Sequence, residues 1–178
     1  MEVEAGRSFA VSAVVVEVPA GSGRRLPAEP GSLVEPEAAA AFLSKTGESG
    51  GRIAARGTVA ALNGQRVHLI DGREKAFLVD YDVLLANQAS DVDPIVEIFH
   101  DGLILDVRPY ASPTGKFVRL DYYVGYTRFD EKTLRFETGY PRVGALDLPR
   151  LTGARMEGSV SLPEGRFLLL GPLMPLIP

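Results

Sequence analysis

The 178-residue chain contains no cysteine and no tryptophan, and its only histidines are His68 and His100. Without cysteine there is no disulfide, no thiolate nucleophile and no cysteine-ligated zinc or iron–sulfur centre. With two histidines, a multi-histidine metal site would need carboxylates or a second chain to complete it. Lysine is scarce too, the whole set being Lys45, Lys75, Lys116 and Lys132. Lys and Arg total 19 against 23 Asp and Glu, a net charge of −4. That sign is wrong for a phosphate-backbone partner, so no nucleic-acid role is expected. No apolar run approaches the ~18 residues of a membrane-spanning helix. The opening Met1-Glu2-Val3-Glu4 is acidic where a signal peptide needs a positive start, so the sequence reads as carrying no export signal.

What is present points to β structure. Hydrophobic residues make up 46%, an ordinary globular share, and 19 Gly with 13 Pro are spread along the chain as if to punctuate many strands. The length fits one domain, 1–178. Residues 9–18 (FAVSAVVVEV) are valine-rich and nearly all apolar, which predicts a strand buried on both faces. A Pro-, Gly- and Ser-dense loop fills 19–34. The one helix is expected over 36–46: Pro36 suits a first turn, Glu35 and Glu37 suit the positive end of the dipole, and Gly47 offers a left-handed cap.

Strands then follow one another. Arg52–Leu62 and Gln65–Ile70 flank Asn63-Gly64, a turn pair in which both residues accept positive φ, so antiparallel pairing is expected across it. Asp71-Gly72 repeats the signal before Lys75–Leu85. Residues 86–95 read as a polar break, Gly102–Arg108 as a strand, and Ser112-Pro113-Thr114-Gly115 as a turn into Lys116–Phe129. In that strand Val118, Leu120, Tyr122, Val124 and Tyr126 share one face. Asp130-Glu131-Lys132 reads as a further turn, into Thr133–Glu137. Leu151–Leu162 and Arg166–Leu170 flank a turn at Pro163-Glu164-Gly165, and the chain closes on GPLMPLIP. The fold class is mainly β: antiparallel strands and hairpins with one short α-helix.

Chemistry-bearing clusters are few. Asp80 with Asp82, and Asp91 with Asp93, place i and i+2 carboxylates on one strand face, where oxygens can hold a hard cation, yet neither has the spacing of a calcium loop. They read as solvated faces. Glu97, His100 and Asp101 resemble an acid–base set without a nucleophile, and adjacent strand residues point to opposite faces. There is no G-x-S-x-G elbow, P-loop or H-E-x-x-H. Accordingly no catalytic residue, metal ligand or cofactor is expected. Tyr122, Tyr123, Tyr126 and Phe129 read as packing aromatics. From Phe167 to Pro178 no side chain is charged, and such an apolar, proline-broken end belongs on a partner, on lipid or on a sheet edge.

The order of these motifs resembles the C-terminal homology domain of bacterial secretins, ring-forming channels of the outer membrane. Val160-Ser161-Leu162-Pro163-Glu164-Gly165, followed by Leu170-Gly171-Pro172-Leu173, is similar to the family's V-x-V-P-D-G hairpin and its L-G-G-L ending, with Pro172 replacing the second glycine. Asp101 to Pro109 resembles the "x-G-x-x-L-x-V-x-P" strand, and Gly115–Asp121 the return strand. Asn63-Gly64-Gln65 resembles the "N-G-Q" hairpin and Ala13–Val18 the opening strand. The likeness runs over about 8–173, leaving an apolar proline-rich tail at 172–178. It implies a secretin-like β-domain that forms a homo-oligomeric ring or barrel and serves protein secretion, with secretion-system or membrane partners, in the outer membrane or periplasm. Its assembly residues here would be Val160, Leu162, Pro163, Gly165, Leu170, Gly171 and Leu173. The alternative is a soluble all-β binding or structural module in the cytoplasm that shares the fold and forms no pore.

Overall fold

The computed structural model describes residues 6–19, 26–86, 89–138 and 145–171. In chain order the elements are β1 (Ser8–Glu17), β2 (Leu33–Val34), α1 (Pro36–Ser44), a 3-10 turn (Gly47–Ser49), β3 (Arg52–Leu62), β4 (Val67–Ala86), β5 (Ala89–Ala111), β6 (Phe117–Glu137), β7 (Ala145–Pro163) and β8 (Phe167–Leu168). The fold is mainly β, with antiparallel sheets and one short helix.

β1 pairs antiparallel with β3, from Ser8 opposite Leu62 to Glu17 opposite Arg52, with a register irregularity between Val15 and Val16. Only one face of β1 is buried: Phe9 and Val15 go inward while Ser8, Ala10 and Ser12 are exposed. The expectation of burial on both faces is thus corrected. On the outward face Ser12 meets Thr58 with the hydroxyls 2.8 Å apart, while Ser8 lies opposite Leu62 and Ala10 opposite Ala60. The helix ends at Ser44, with Lys45 as cap at φ −90°. The left-handed residue is Gly50, at φ +71°, closing the 3-10 turn rather than Gly47 closing the helix.

β4, β5, β6 and β7 form one four-stranded sheet in that order. They are 20, 23, 21 and 19 residues long, roughly twice the usual upper length of a globular strand. Three expected breaks therefore lie inside strands. Asp71-Gly72 is within β4, part of residues 86–95 is within β5, and Asp130-Glu131-Lys132 is within β6. Gly72 does not take a positive φ. It is needed for room, because a Cβ there would collide with the main-chain oxygen of Asp101 and reach Gly102 Cα at 2.9 Å. The Asp130 carboxylate lies 3.9 Å from Arg150 of β7, a cross-strand ion pair where a turn was expected.

The chain divides into two compact units. Among the described residues, one comprises those up to Asp71, Leu103–Tyr126 and those from Ala154 on; the other comprises Gly72–Gly102 and Thr127–Gly153. The first holds nearly all the core. Leu103, Leu105, Val107 and Pro109 alternate along β5 and are almost wholly buried, joined by Phe9, Val15, Val34, Ala39 and Ala61. Tyr126 of β6 donates its hydroxyl to Glu17 of β1 at 3.2 Å, and Val118, Leu120, Tyr122 and Val124, expected on the same face, are half-buried. In the second unit Leu146 is the only buried hydrophobic side chain among the described residues.

Candidate assembly surface

Turns organise one end of the first unit. Gly64, at φ +75°, permits the Asn63-Gly64 turn, closed by Gln65 N–H donating to Leu62 O at 2.9 Å. Asn63 then works beyond the turn: its side-chain oxygen accepts from Ala111 N–H at 2.8 Å, and Gly64 N–H donates to Pro109 O at 2.7 Å. The Ser112–Gly115 turn forms as expected, with Gly115 at φ +68°. Arg7 ties two turns together, donating to Gly115 O at 3.5 Å and to Glu164 at 2.8 Å.

The secretin-like residues fall partly inside this unit and pack against the chain itself. Pro163-Glu164-Gly165 makes the expected turn, with Gly165 at φ +79° and Arg166 N–H donating to Pro163 O at 3.3 Å. Beyond it Phe167 and Leu168 pair with Val34 and Leu33. Leu169 N–H continues the ladder to Ser32 O at 3.0 Å, and Leu169 O accepts from Gly31 at 2.7 Å. Arg166 forms an ion pair with Glu35. Val160, Leu162 and Leu170 are half-buried, and Gly171 lies so close to Pro30 that a Cβ would stand 2.9 Å from the proline Cβ. The loop preceding the helix thereby engages the backbone of the leucine arm. Leu173 and the rest of 172–178 lie outside the described residues.

Charged pairs lie across the sheet in this unit. Arg66 holds Asp106 through Nε and Nη2, with bonds of 2.8 to 3.0 Å, and His68 Nδ1 stands 3.6 Å from the same carboxylate. The Arg66 guanidinium, supported by His68, keeps Asp106 below the usual carboxylate range despite some desolvation. Asp121 is also held low, first by the Ser159 hydroxyl at 2.6 Å and then by Arg119. These pairs sit on exposed strand faces and are satisfied within the chain.

The second unit differs. Phe77 meets Phe99 at 5.9 Å and Phe129 at 5.3 Å between ring centroids, and Lys75 lies 5.0 Å over Phe129. Asp101 accepts from Phe129 N–H and from Arg73, each at 3.3 Å. These contacts gather odd-numbered residues of β4, β5 and β6 on one face. By strand alternation, Val96 and Ile98 of β5 and Leu134 and Phe136 of β6 take the opposite face. All four are strongly exposed, at 55%, 68%, 60% and 61%. Sequence reasoning missed them, although Leu134-Arg135-Phe136-Glu137 carried the alternating signal.

The other singled-out residues are dispersed. Asp80, Asp82, Asp93 and Glu97 are exposed, and the side chain of Asp91 lies outside the described residues. Among the described residues no three His, Asp or Glu side chains gather as a metal set. Both His100 nitrogens are buried without a hydrogen-bond partner, while the neighbouring Asp101 is engaged by Arg73 and Phe129. No helix among the described residues is long and apolar enough to cross a membrane, which says nothing of strands. No family model, curated protein or solved structure matches the chain.

Proposed function

We propose that this chain is a non-catalytic, secretin-like module that assembles side by side into a ring or barrel and serves protein passage across an outer membrane. The observation that carries this reading is the second unit. It extends four very long strands with one buried hydrophobic side chain among the described residues, far too little apolar burial to offset the entropy of ordering them. Within Gly72–Gly102 and Thr127–Gly153 the order β4-β5-β6-β7 leaves β4 and β7 as edges. Edge N–H and C=O groups are ready to pair with another chain. Repeating one subunit so that its β7 side meets the next subunit's β4 side closes a ring and removes the edges. The motif order from Asn63-Gly64 to Leu170-Gly171 adds the family resemblance. In this reading the Val160–Gly171 segment braces each subunit, and the long strands carry the contact.

The test is mass in solution. Light scattering on the full chain, in buffer and in detergent, is expected to give a multiple of 19.1 kDa, with rings in negative-stain images. A monomer under both conditions would leave the soluble all-β module as the better reading.

A further inference from the structure

We infer that Asn63 is a site of spontaneous covalent modification, conversion to aspartate and isoaspartate, which the folded first unit holds shut and which opening of its turn end releases. This holds whether or not the chain assembles. In an asparagine followed by glycine, the next main-chain nitrogen reaches the side-chain carbonyl carbon most easily, because glycine has no Cβ to obstruct the approach. The chain has one such pair, Asn63-Gly64; its other asparagine, Asn87, precedes Gln88. The reaction needs only water. Gly64 N gives its proton to solvent base and attacks Asn63 Cγ. The new N–C bond closes a cyclic imide as the Cγ–Nδ2 bond breaks and Nδ2 leaves, with a proton from water, as ammonia. Water then opens the imide at either carbonyl. One opening gives aspartate; the other gives isoaspartate, whose main chain runs through the side-chain carbon and is a methylene longer.

The fold opposes each part of that closure. Gly64 N–H donates to Pro109 O at 2.7 Å, and a hydrogen bond to the protonated amide disfavours the anion that must attack. The target is held as well, Asn63 Oδ1 accepting from Ala111 N–H at 2.8 Å. On either side of the reacting atoms, Asn63 N–H donates to Arg7 O at 2.9 Å and Gly64 O accepts from Arg108 Nε at 2.8 Å. Nucleophile and target are thus tied to different residues of β5, and ring closure waits on local opening of this strand end. Conversion then hinders reclosure. Isoaspartate adds a methylene between the two nitrogens at positions 63 and 64, so the bonds to Arg7 and Pro109 no longer fit together, whereas aspartate keeps an oxygen for Ala111 N–H. The turn therefore carries a one-way record of having been opened.

The test uses the full chain, incubated at mildly alkaline pH in buffer and in denaturing urea. Asn63 is the sole asparagine of the tryptic peptide Gly57–Arg66, so mass spectrometry of that peptide follows the conversion and chromatography separates isoaspartate from aspartate. Conversion in buffer is expected to run at least roughly tenfold slower than in urea, with hydrogen exchange at the Gly64 amide slowed by a similar factor. Equal conversion in buffer and urea overturns the clamp, and no conversion in urea overturns the site. Slow conversion in buffer beside a freely exchanging Gly64 amide overturns the part given to the Pro109 bond. After removal of urea, the isoaspartate-bearing fraction should exchange freely at Gly64; regained protection there overturns the one-way record.

Discussion

Gly57 is a buried glycine of β3 whose need is for space. A Cβ there would stand 2.5 Å from Leu69 Cδ2 and 3.0 Å from Leu103 Cδ2, and Leu103 is fully buried at 0% exposure. Ordinary contact begins at 3.4 Å, so Gly57→Ala forces Leu69 outward by about an ångström. Overpacking of this kind costs ~1–3 kcal/mol. Leu69 is only half-buried and its methyl can swing, which favours the lower part of that range. Against this, alanine restricts the unfolded chain and returns ~0.4–1 kcal/mol. The overpacking wins, for a net loss of about 0.5–1.5 kcal/mol, or roughly 1–6 °C in Tm for a chain of this size. A double-mutant cycle locates the cause: with Leu69→Ala alongside, the new methyl enters vacated space, and the pair should lose about 1 kcal/mol less than the separate losses combined. Urea and thermal unfolding of the four proteins measure this. A Gly57→Ala variant as stable as the parent, or an additive cycle, would refute the packing of β3 against Leu69 and Leu103.

Gly64→Val should cost ~1 kcal/mol or more, because a β-branched residue resists the φ of +75° at this turn; an unchanged melting temperature would contradict the turn. Gly72→Ala should lower stability through displaced backbone at Asp101 and Gly102, and a neutral result would restore the turn reading of Asp71-Gly72. Asp106 is held below its ordinary range by Arg66 and then His68, so its contribution is present above the unfolded carboxylate value of about 4 and fades as pH falls through the lower folded value. Asp106→Asn should therefore be less stable than the parent at neutral pH, with the gap closing as pH falls below the unfolded carboxylate value and through the lower folded one; a gap of constant size in thermal melts over that acid range would count against the ion pair.

The legible parts of the sequence were those whose reason is local. β3 has the expected bounds, β1 is displaced by one residue, and α1 begins at Pro36 because proline fits a first turn. Gly64, Gly115 and Gly165 all take the positive φ their turns require. Gly72 shows where local reasoning fails: glycine serves either a left-handed backbone or a close approach, and only the partner strand with Asp101 and Gly102 decides which. The Asp130-Glu131-Lys132 run fails for another reason. A strand that continues beyond the core no longer needs apolar alternation, so charge is compatible with it and ceases to signal a turn. The exposed side chains at Val96, Ile98, Leu134 and Phe136 were hidden by the same effect. An apolar residue reads as core until the structure shows nothing packed over it. The terminal motif was legible as a turn, but its pairing with Leu33–Val34 joins segments more than 130 residues apart, and no local pattern announces that.

The most direct test of the assembly account is the mass and shape of the full-length protein at high concentration, by light scattering and negative-stain microscopy, in buffer and again with lipid or detergent. The account expects closed rings whose mass is an integral multiple of 19.1 kDa in at least one of these conditions. A 19.1 kDa monomer in all of them would contradict it.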